Sequence, residues 1–203
     1  MEVKFVEKPT PHLLLEDVFT DKDLEFIWNE INFLQPKFLE PEQTEGAKVN
    51  EKIIKKNSGL FLYPLYANFS YSDIIRITNE RIYYEDYLKS KWSIPWIRKS
   101  FETCNWDTIL LSHYGDNDYY DSHTDRSVFT TVIWIWKEPK SFEGGKFFLD
   151  NYSYEVEVKN NSGIIFLSTE LHSVSPVKIL EKNSKNCGRY SITSFCGLGM
   201  PNQ

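Results

Sequence analysis

The chain contains four histidines, His12, His113, His123 and His172, and two of them stand where a metal ion would want them. In Tyr119-Tyr120-Asp121-Ser122-His123-Thr124-Asp125, an imidazole and a carboxylate lie at i and i+2. On an extended strand that spacing points both side chains to one face. His172 opens a later strand-like run, which in a jelly roll can lie beside the first. Two imidazoles and one carboxylate form the facial set that leaves metal positions open and suits non-haem Fe(II) in an oxygenase. Alone, a histidine two residues before an aspartate is a weak signal, since composition produces such pairs by chance. A cation adds to it. In Gly188-Arg189-Tyr190-Ser191-Ile192-Thr193-Ser194-Phe195, alternation puts Arg189, Ser191, Thr193 and Phe195 on one face. A guanidinium fork and a hydroxyl there could converge on a buried carboxylate, although a lone strand arginine is more often a surface ion pair.

The elements that must position these groups follow from the pattern around them. From Trp106 onward, runs rich in Val, Ile, Thr, Tyr, Phe and Trp are divided by turn signals at 115–118, 138–145, 160–163 and 181–188. About eight strands are predicted, 106–113, 119–125, 127–136, 145–150, 153–159, 163–168, 172–179 and 188–196, at the spacing of sandwiches and jelly rolls. The first half reads as mainly helical. Thr20-Asp21-Lys22-Asp23 resembles an N-cap, and Leu24, Ile27, Trp28, Ile31 and Leu34 recur at helical spacing up to Gln35-Pro36. A second helical region starts at Ser72-Asp73 and carries Ile74, Ile75, Ile77 and Ile82, and Pro95 forces a fresh start for Trp96–Cys104.

Residues 40–59 are polar and charged and read as a mobile loop or loose hairpin, with Lys52, Lys55 and Lys56 solvated. Trp134, Trp136, Phe147, Phe148 and Phe166 are expected to be core packing before they are pocket lining. His113 is expected to be bonded to backbone, and Gly144-Gly145 to serve a turn.

Composition narrows the function classes. With 203 residues the chain is expected to be one domain, 1–105 supplying helical support and the loop, 106–196 the jelly-roll core. Lys and Arg number 23 against 29 Asp and Glu, a net charge of −6, and the basic residues are scattered, which argues against a nucleic-acid partner. Apolar residues at 41% and aromatic ones at 16% are too rich for a disordered chain, and no apolar run reaches membrane length. Three cysteines without paired spacing and an N-terminus without an apolar signal core fit a reduced, cytoplasmic setting.

Taken jointly, these segments resemble a known family. Tyr114-Gly115, Tyr120, His123-Thr124-Asp125, Thr130–Trp134, Phe142-Glu143-Gly144-Gly145, Ile165-Phe166, His172 with Pro176-Val177, and Arg189–Thr193 look like the prolyl 4-hydroxylase type of Fe(II)/2-oxoglutarate dioxygenase over residues 106–196. The resemblance implies a mainly β, double-stranded β-helix fold with N-terminal supporting helices. It implies Fe(II) held by His123, Asp125 and His172, with Arg189 paired to the distal carboxylate of 2-oxoglutarate and Thr193 and Tyr114 as secondary contacts. The cofactors implied are Fe(II), 2-oxoglutarate and O2, with ascorbate as an optional addition.

The same resemblance implies a peptide or protein substrate hydroxylated at proline, and a carboxylate ligand at Asp125 favours hydroxylation over halogenation. One position departs from the pattern. Where the family often has a third-strand tyrosine for the distal carboxylate, this chain has Trp134, which lacks a hydroxyl. The segment 179–187 also reads as an inserted hairpin tip. Two other readings remain open at this stage: the same chemistry on another substrate, and a jelly-roll module that binds metal without catalysis. Because imidazoles bind metal only when neutral, iron affinity is expected to weaken as pH falls through about 6.5.

Overall fold

A central strand flanked on both faces is buried along its whole length, and Phe129–Ile135 is such a strand, with all seven residues buried, Thr130 and Thr131 among them. Its alternation divides the protein into two apolar interiors. Phe129, Ile133 and Ile135 join the cluster under the helices, with Ile27, Trp28, Ile74, Ile97 and Phe101. Val132 and Trp134 point the other way, into a second cluster with Tyr114, Phe142, Phe147, Phe166 and Val177.

The computed structural model describes residues 1–44, 48–49, 52–84, 86–180 and 186–199. In chain order the elements are β1 (Glu2–Val6), β2 (His12–Glu16), α1 (Asp21–Leu34), β3 (Lys48–Val49), β4 (Lys52–Ile53), β5 (Ser58–Phe61), α2 (Asp73–Ile82), α3 (Asp86–Ser90) and α4 (Pro95–Thr103). They continue with β6 (Trp106–Tyr114), β7 (Tyr120–His123), β8 (Phe129–Ile135), β9 (Phe142–Gly144), β10 (Phe147–Leu149), β11 (Tyr154–Val156), β12 (Ser162–Leu167), β13 (His172–Val174), β14 (Val177–Ile179) and β15 (Arg189–Gly197). A seven-stranded sheet runs β1-β2-β12-β8-β15-β6-β5, and a four-stranded sheet runs β11-β10-β13-β7. The second apolar cluster lies between them, closed by the β9–β14 pair. This is the double-stranded β-helix with supporting helices that the sequence predicts.

The helices are held as their sequences suggest. Thr20 Oγ1 accepts from Asp23 N at 3.2 Å while Thr20 N donates to Asp23 Oδ2 at 3.0 Å, a reciprocal cap for α1. Glu30 on α1 accepts from the Ser72 hydroxyl and from Ile74 N at 2.8 Å, which fixes the start of α2 against α1.

Several strand boundaries differ from expectation. The predicted strand 172–179 is two strands, because Ser175-Pro176 interrupts it: proline lacks the N–H a ladder needs, so β13 pairs β10 and β7 while β14 pairs β9. The predicted strand 145–150 is preceded by the separate β9. Gly144 and Gly145 have φ of +72° and +63°, which lets the chain leave one sheet and enter the other. A Cβ at Gly144 would sit 2.1 Å from the Pro176 carbonyl oxygen. Gly144→Ala is therefore expected to destabilise the fold by at least about 2 kcal/mol, read from the urea midpoint at constant slope.

The polar stretch 40–59 is in part built into the fold. β5 pairs β6 in the large sheet, and residues 54–56 pair beside β7: Asp121 N donates to Ile54 O, and Lys56 N to Tyr119 O at 2.9 Å. β3 and β4 form the short hairpin within it, while 45–47 and 50–51 lie outside the described residues, as do 181–185 of the expected hairpin tip.

Candidate metal centre

Antiparallel pairing of β13 with β7 sets His172 opposite His123. Side chains facing each other across a ladder are close neighbours, and the two ring centroids are 4.2 Å apart. Asp125 completes the group. His123 Nε2 is 3.7 Å from Asp125 Oδ1, His172 Nε2 is 3.5 Å from Asp125 Oδ2, and one ligand atom from each residue lies within 4.8 Å of the others. The structure thus brings together the three residues the sequence singles out.

Asp125 differs from expectation in one respect, since β7 ends at His123 and the carboxylate is not on the strand. It is aimed by other bonds. Asp125 N donates to Ser168 O at 2.9 Å, and its Oδ2 accepts from Thr130 Oγ1 at 2.6 Å. Thr130 in turn shares a hydrogen bond with Ser168 Oγ at 2.9 Å, and Ser168 with Ser127 Oγ at 2.7 Å. Sequence reasoning missed this hydroxyl relay. Its one legible signal is the inward position of Thr130, two residues before Val132 on a strand that is otherwise nearly all apolar.

Both imidazoles are oriented by backbone. His123 Nδ1 bonds Asp121 O at 2.8 Å and His172 Nδ1 bonds Glu170 O at 2.9 Å. Since a carbonyl only accepts, each Nδ1 carries the proton and each Nε2 offers its lone pair toward Asp125, the tautomer a metal ligand needs. Their side chains are only 9% and 4% exposed, with Asp125 at 11%, so bulk water does not satisfy them. Burial, reinforced by neighbouring His172, depresses His123 to about 3. Burial also pushes the Asp125 carboxyl up, against the opposing pull of His172 and Thr130. A desolvated carboxylate between two inward lone pairs is a donor set that fits a divalent cation.

Burial thus favours the neutral, metal-binding form of His123. The stability of the metal-free fold also responds to pH. His12, His113 and His123 are all lowered by burial. Below about 6.5 the unfolded chain takes up protons that these folded imidazoles refuse, so stability is full above that pH and declines as pH falls. Asp107 and Asp125, raised by burial, oppose this nearer the carboxylate range. Denaturant unfolding with chelator present is expected to show a loss of about 1–3 kcal/mol between pH 7.5 and 5.5; equal stabilities would contradict it.

Behind the three ligands lies an aromatic interior. Phe166 and Phe147 pack on His172 at 4.9 and 5.6 Å, and Trp134 on Phe147 at 5.6 Å. Arg189, fully buried, enters the same interior from β15. Its guanidinium carbon lies 4.5 Å from the Tyr114 ring centroid, its Nη1 donates to Gly145 O, and its Nε is buried with no hydrogen-bond partner among the described residues. Burial pushes the Tyr114 phenol up to about 12, with Arg189 pulling it back. Thr193 is half-buried, on the Arg189 face of β15 and in register with Val132. A buried cation with an unfilled donor is a seat for an anion, which is what the distal carboxylate of a keto acid would supply.

His113 does bond backbone, through Nε2 to Cys187 O at 2.8 Å, and its ring packs at a tilt against Tyr190, 4.5 Å between centroids. Lys55 corrects the expectation of solvation. It is 2% exposed, its ammonium lies 5.4 Å from the Tyr120 ring centroid, and burial lowers it to about 8. Tyr120 in turn stacks on His123 at 3.6 Å. The signal in the sequence was weak, because a lysine in a polar run is indistinguishable from a surface one until the pairing of 54–56 with β7 is known.

Comparison with known proteins agrees with this geometry. Residues 109–197 match the family model of the 2OG-Fe(II) oxygenase superfamily. No curated protein sequence matches the chain. Among solved structures, a prolyl-4-hydroxylase from Pseudomonas putida superposes with TM-score 0.54 at 14% identity, over 93% of each chain. The viral collagen prolyl hydroxylase of Paramecium bursaria Chlorella virus-1, in its 2OG complex, gives 0.52 at 13% identity, over 92% of this chain and 96% of that one. OsALKBH1 gives 0.57 at 14% identity, over 96% and 99%. The family match over 109–197 and the shared double-stranded β-helix bear out the resemblance read from the motifs at the level of the 2OG-Fe(II) oxygenase superfamily; at these identities the structural likeness speaks to fold.

Proposed function

We propose that this chain is an Fe(II)/2-oxoglutarate-dependent dioxygenase that hydroxylates prolyl residues of a peptide or protein, converting 2-oxoglutarate to succinate and CO2. The observation that carries the reading is the pairing, in one interior, of the His123–Asp125–His172 group with the buried Arg189, whose Nε lacks a partner among the described residues. In this reading the three ligands hold Fe(II), Arg189 binds the distal carboxylate of 2-oxoglutarate, and Thr193 and Tyr114 assist it. Bound iron and keto acid supply dioxygen activation. The chain's own residues do the rest. Asp121 O and Glu170 O keep both Nε2 atoms unprotonated, Thr130 fixes the carboxylate, and Phe147, Phe166 and Trp134 keep water from the interior. Ascorbate as an auxiliary reductant and a cytoplasmic location belong to the same proposal.

Proline is supported by the motif resemblance and by two prolyl hydroxylases among the neighbours; the equal likeness to OsALKBH1 favours a second reading, the same chemistry on another substrate. Net charge of −6 weighs against a nucleic-acid substrate. Incubation with Fe(II), 2-oxoglutarate, O2 and a panel of proline-containing peptides is expected to yield succinate and a one-oxygen mass gain on proline. Succinate without proline oxidation would move the assignment to the second reading. Metal binding with no succinate under any condition would leave a non-catalytic binding module.

A further inference from the structure

Trp134 occupies the position where the resembling family carries a tyrosine, and its surroundings show what the replacement retains. The side chain is fully buried, in register with Ser191 on β15 and thus two residues from Arg189 along the neighbouring strand. Its ring packs on Phe147, which packs on His172, so it lies one aromatic layer deeper than the metal ligands. Packing alone would be met by phenylalanine, yet the indole adds an N–H, and that Nε1 is buried with no hydrogen-bond partner among the described residues. Indole nitrogen is a donor only, so nothing but an acceptor can satisfy it. Trp92 and Tyr190 also carry orphaned buried polar atoms, but they belong to the cluster under the helices. Trp134 faces the interior that receives Arg189, whose Nε is likewise unfilled.

Two donors lacking an acceptor, one on a fixed cation, call for an anion with more than one oxygen. We infer that the Trp134 indole N–H binds the distal carboxylate of 2-oxoglutarate together with Arg189, doing the work of the missing tyrosine hydroxyl. The inference rests on the 2-oxoglutarate reading above and adds to it a donor of a different chemical type. An indole N–H cannot accept or ionise, so the seat selects a fully deprotonated carboxylate and offers nothing to a ligand group that donates.

The test uses Zn(II)-loaded protein without turnover, with 2-oxoglutarate and 2-oxobutanoate as ligands; the second keeps the chelating keto acid and lacks the distal carboxylate. Trp134→Phe is expected to weaken 2-oxoglutarate binding about tenfold or more by calorimetry and to leave 2-oxobutanoate unchanged. In 15N–1H spectra of the wild type, one of the six tryptophan indole signals, the one lost in Trp134→Phe, is expected to move downfield with 2-oxoglutarate and to stay with 2-oxobutanoate. Unchanged 2-oxoglutarate affinity, equal losses for both ligands, or an unmoved Trp134 signal in 2-oxoglutarate-saturated protein would overturn the inference while the parent reading stands. If the wild type binds no 2-oxoglutarate at all, the parent reading falls and takes the inference with it. Should Trp134→Phe fail to fold, the wild-type indole shifts, assigned by Trp134-selective labelling, decide alone.

Discussion

His172→Ala is expected to abolish 2-oxoglutarate turnover and to weaken divalent-metal binding at least about a hundredfold. The size follows from geometry. His172 supplies one of three ligand atoms that lie within 4.8 Å of one another, and its Nδ1 contact with Glu170 O commits Nε2 to the group. Without it, His123 and Asp125 remain as a two-point site whose buried carboxylate has lost a partner. The ring also packs between Phe147 and Phe166, so a stability loss of about 1–3 kcal/mol is expected as well, and circular dichroism must show that the variant is folded before its metal affinity is compared. His113→Ala is the matched control: it deletes another buried imidazole, bonded to Cys187 O and away from Asp125, and should leave metal affinity as it was. A folded His172→Ala protein with wild-type Mn(II) affinity would refute the proposed ligand set.

The ligands themselves were legible because their chemistry is local and their spacing short. His123 and Asp125 are two residues apart, and His172 heads a β run. The central strand 129–135 and the capped helix at 21–34 were legible for the same reason: an unbroken run of β-branched and aromatic residues, and a cap followed by periodicity, each needs no distant partner to be recognised. What was not legible depends on contacts between distant segments. Thr130, Ser168 and Ser127 aim Asp125 only once β8 and β12 are paired, and hydroxyls in strands are too common to stand out. The split of 172–179 could have been read from Pro176, whose missing N–H bars it from a central ladder.

Lys55 illustrates the limit most plainly. Its neighbours Lys52 and Lys56 are exposed, and nothing in the run distinguishes the three. Pairing of 54–56 along the edge of β7 alternates the side chains, turning residue 55 inward over Tyr120 while Lys56 reaches Asp118 in solvent. The N-terminal hairpin gives the opposite lesson. Val3 and Phe5 alternate with charged Glu2 and Lys4, a period-two signal, yet the segment became interpretable as an edge of the large sheet only through the pairing of β2 with β12.

Arg189→Lys is expected to raise the 2-oxoglutarate concentration needed for half-saturation by roughly 10- to 100-fold, with metal affinity unchanged. The charge is conserved and the fork is not. In the wild type one arm of the guanidinium is committed to Gly145 O, its plane lies over Tyr114, and Nε faces the interior unfilled, so the group is oriented before any ligand arrives. A lysine ammonium is a point charge on a flexible stem; it cannot hold the Gly145 carbonyl and present two parallel donors to a carboxylate at once. It also leaves the space of the guanidinium beside Tyr114, inviting water into an apolar interior and weakening every remaining electrostatic contact there. Because Arg189 does not touch the three ligands, Mn(II) titration should be indifferent to the change while calorimetric 2-oxoglutarate binding is not. Equal half-saturation in variant and wild type would show that the distal carboxylate is seated elsewhere, and loss of metal affinity alongside would show that the substitution acts through the fold.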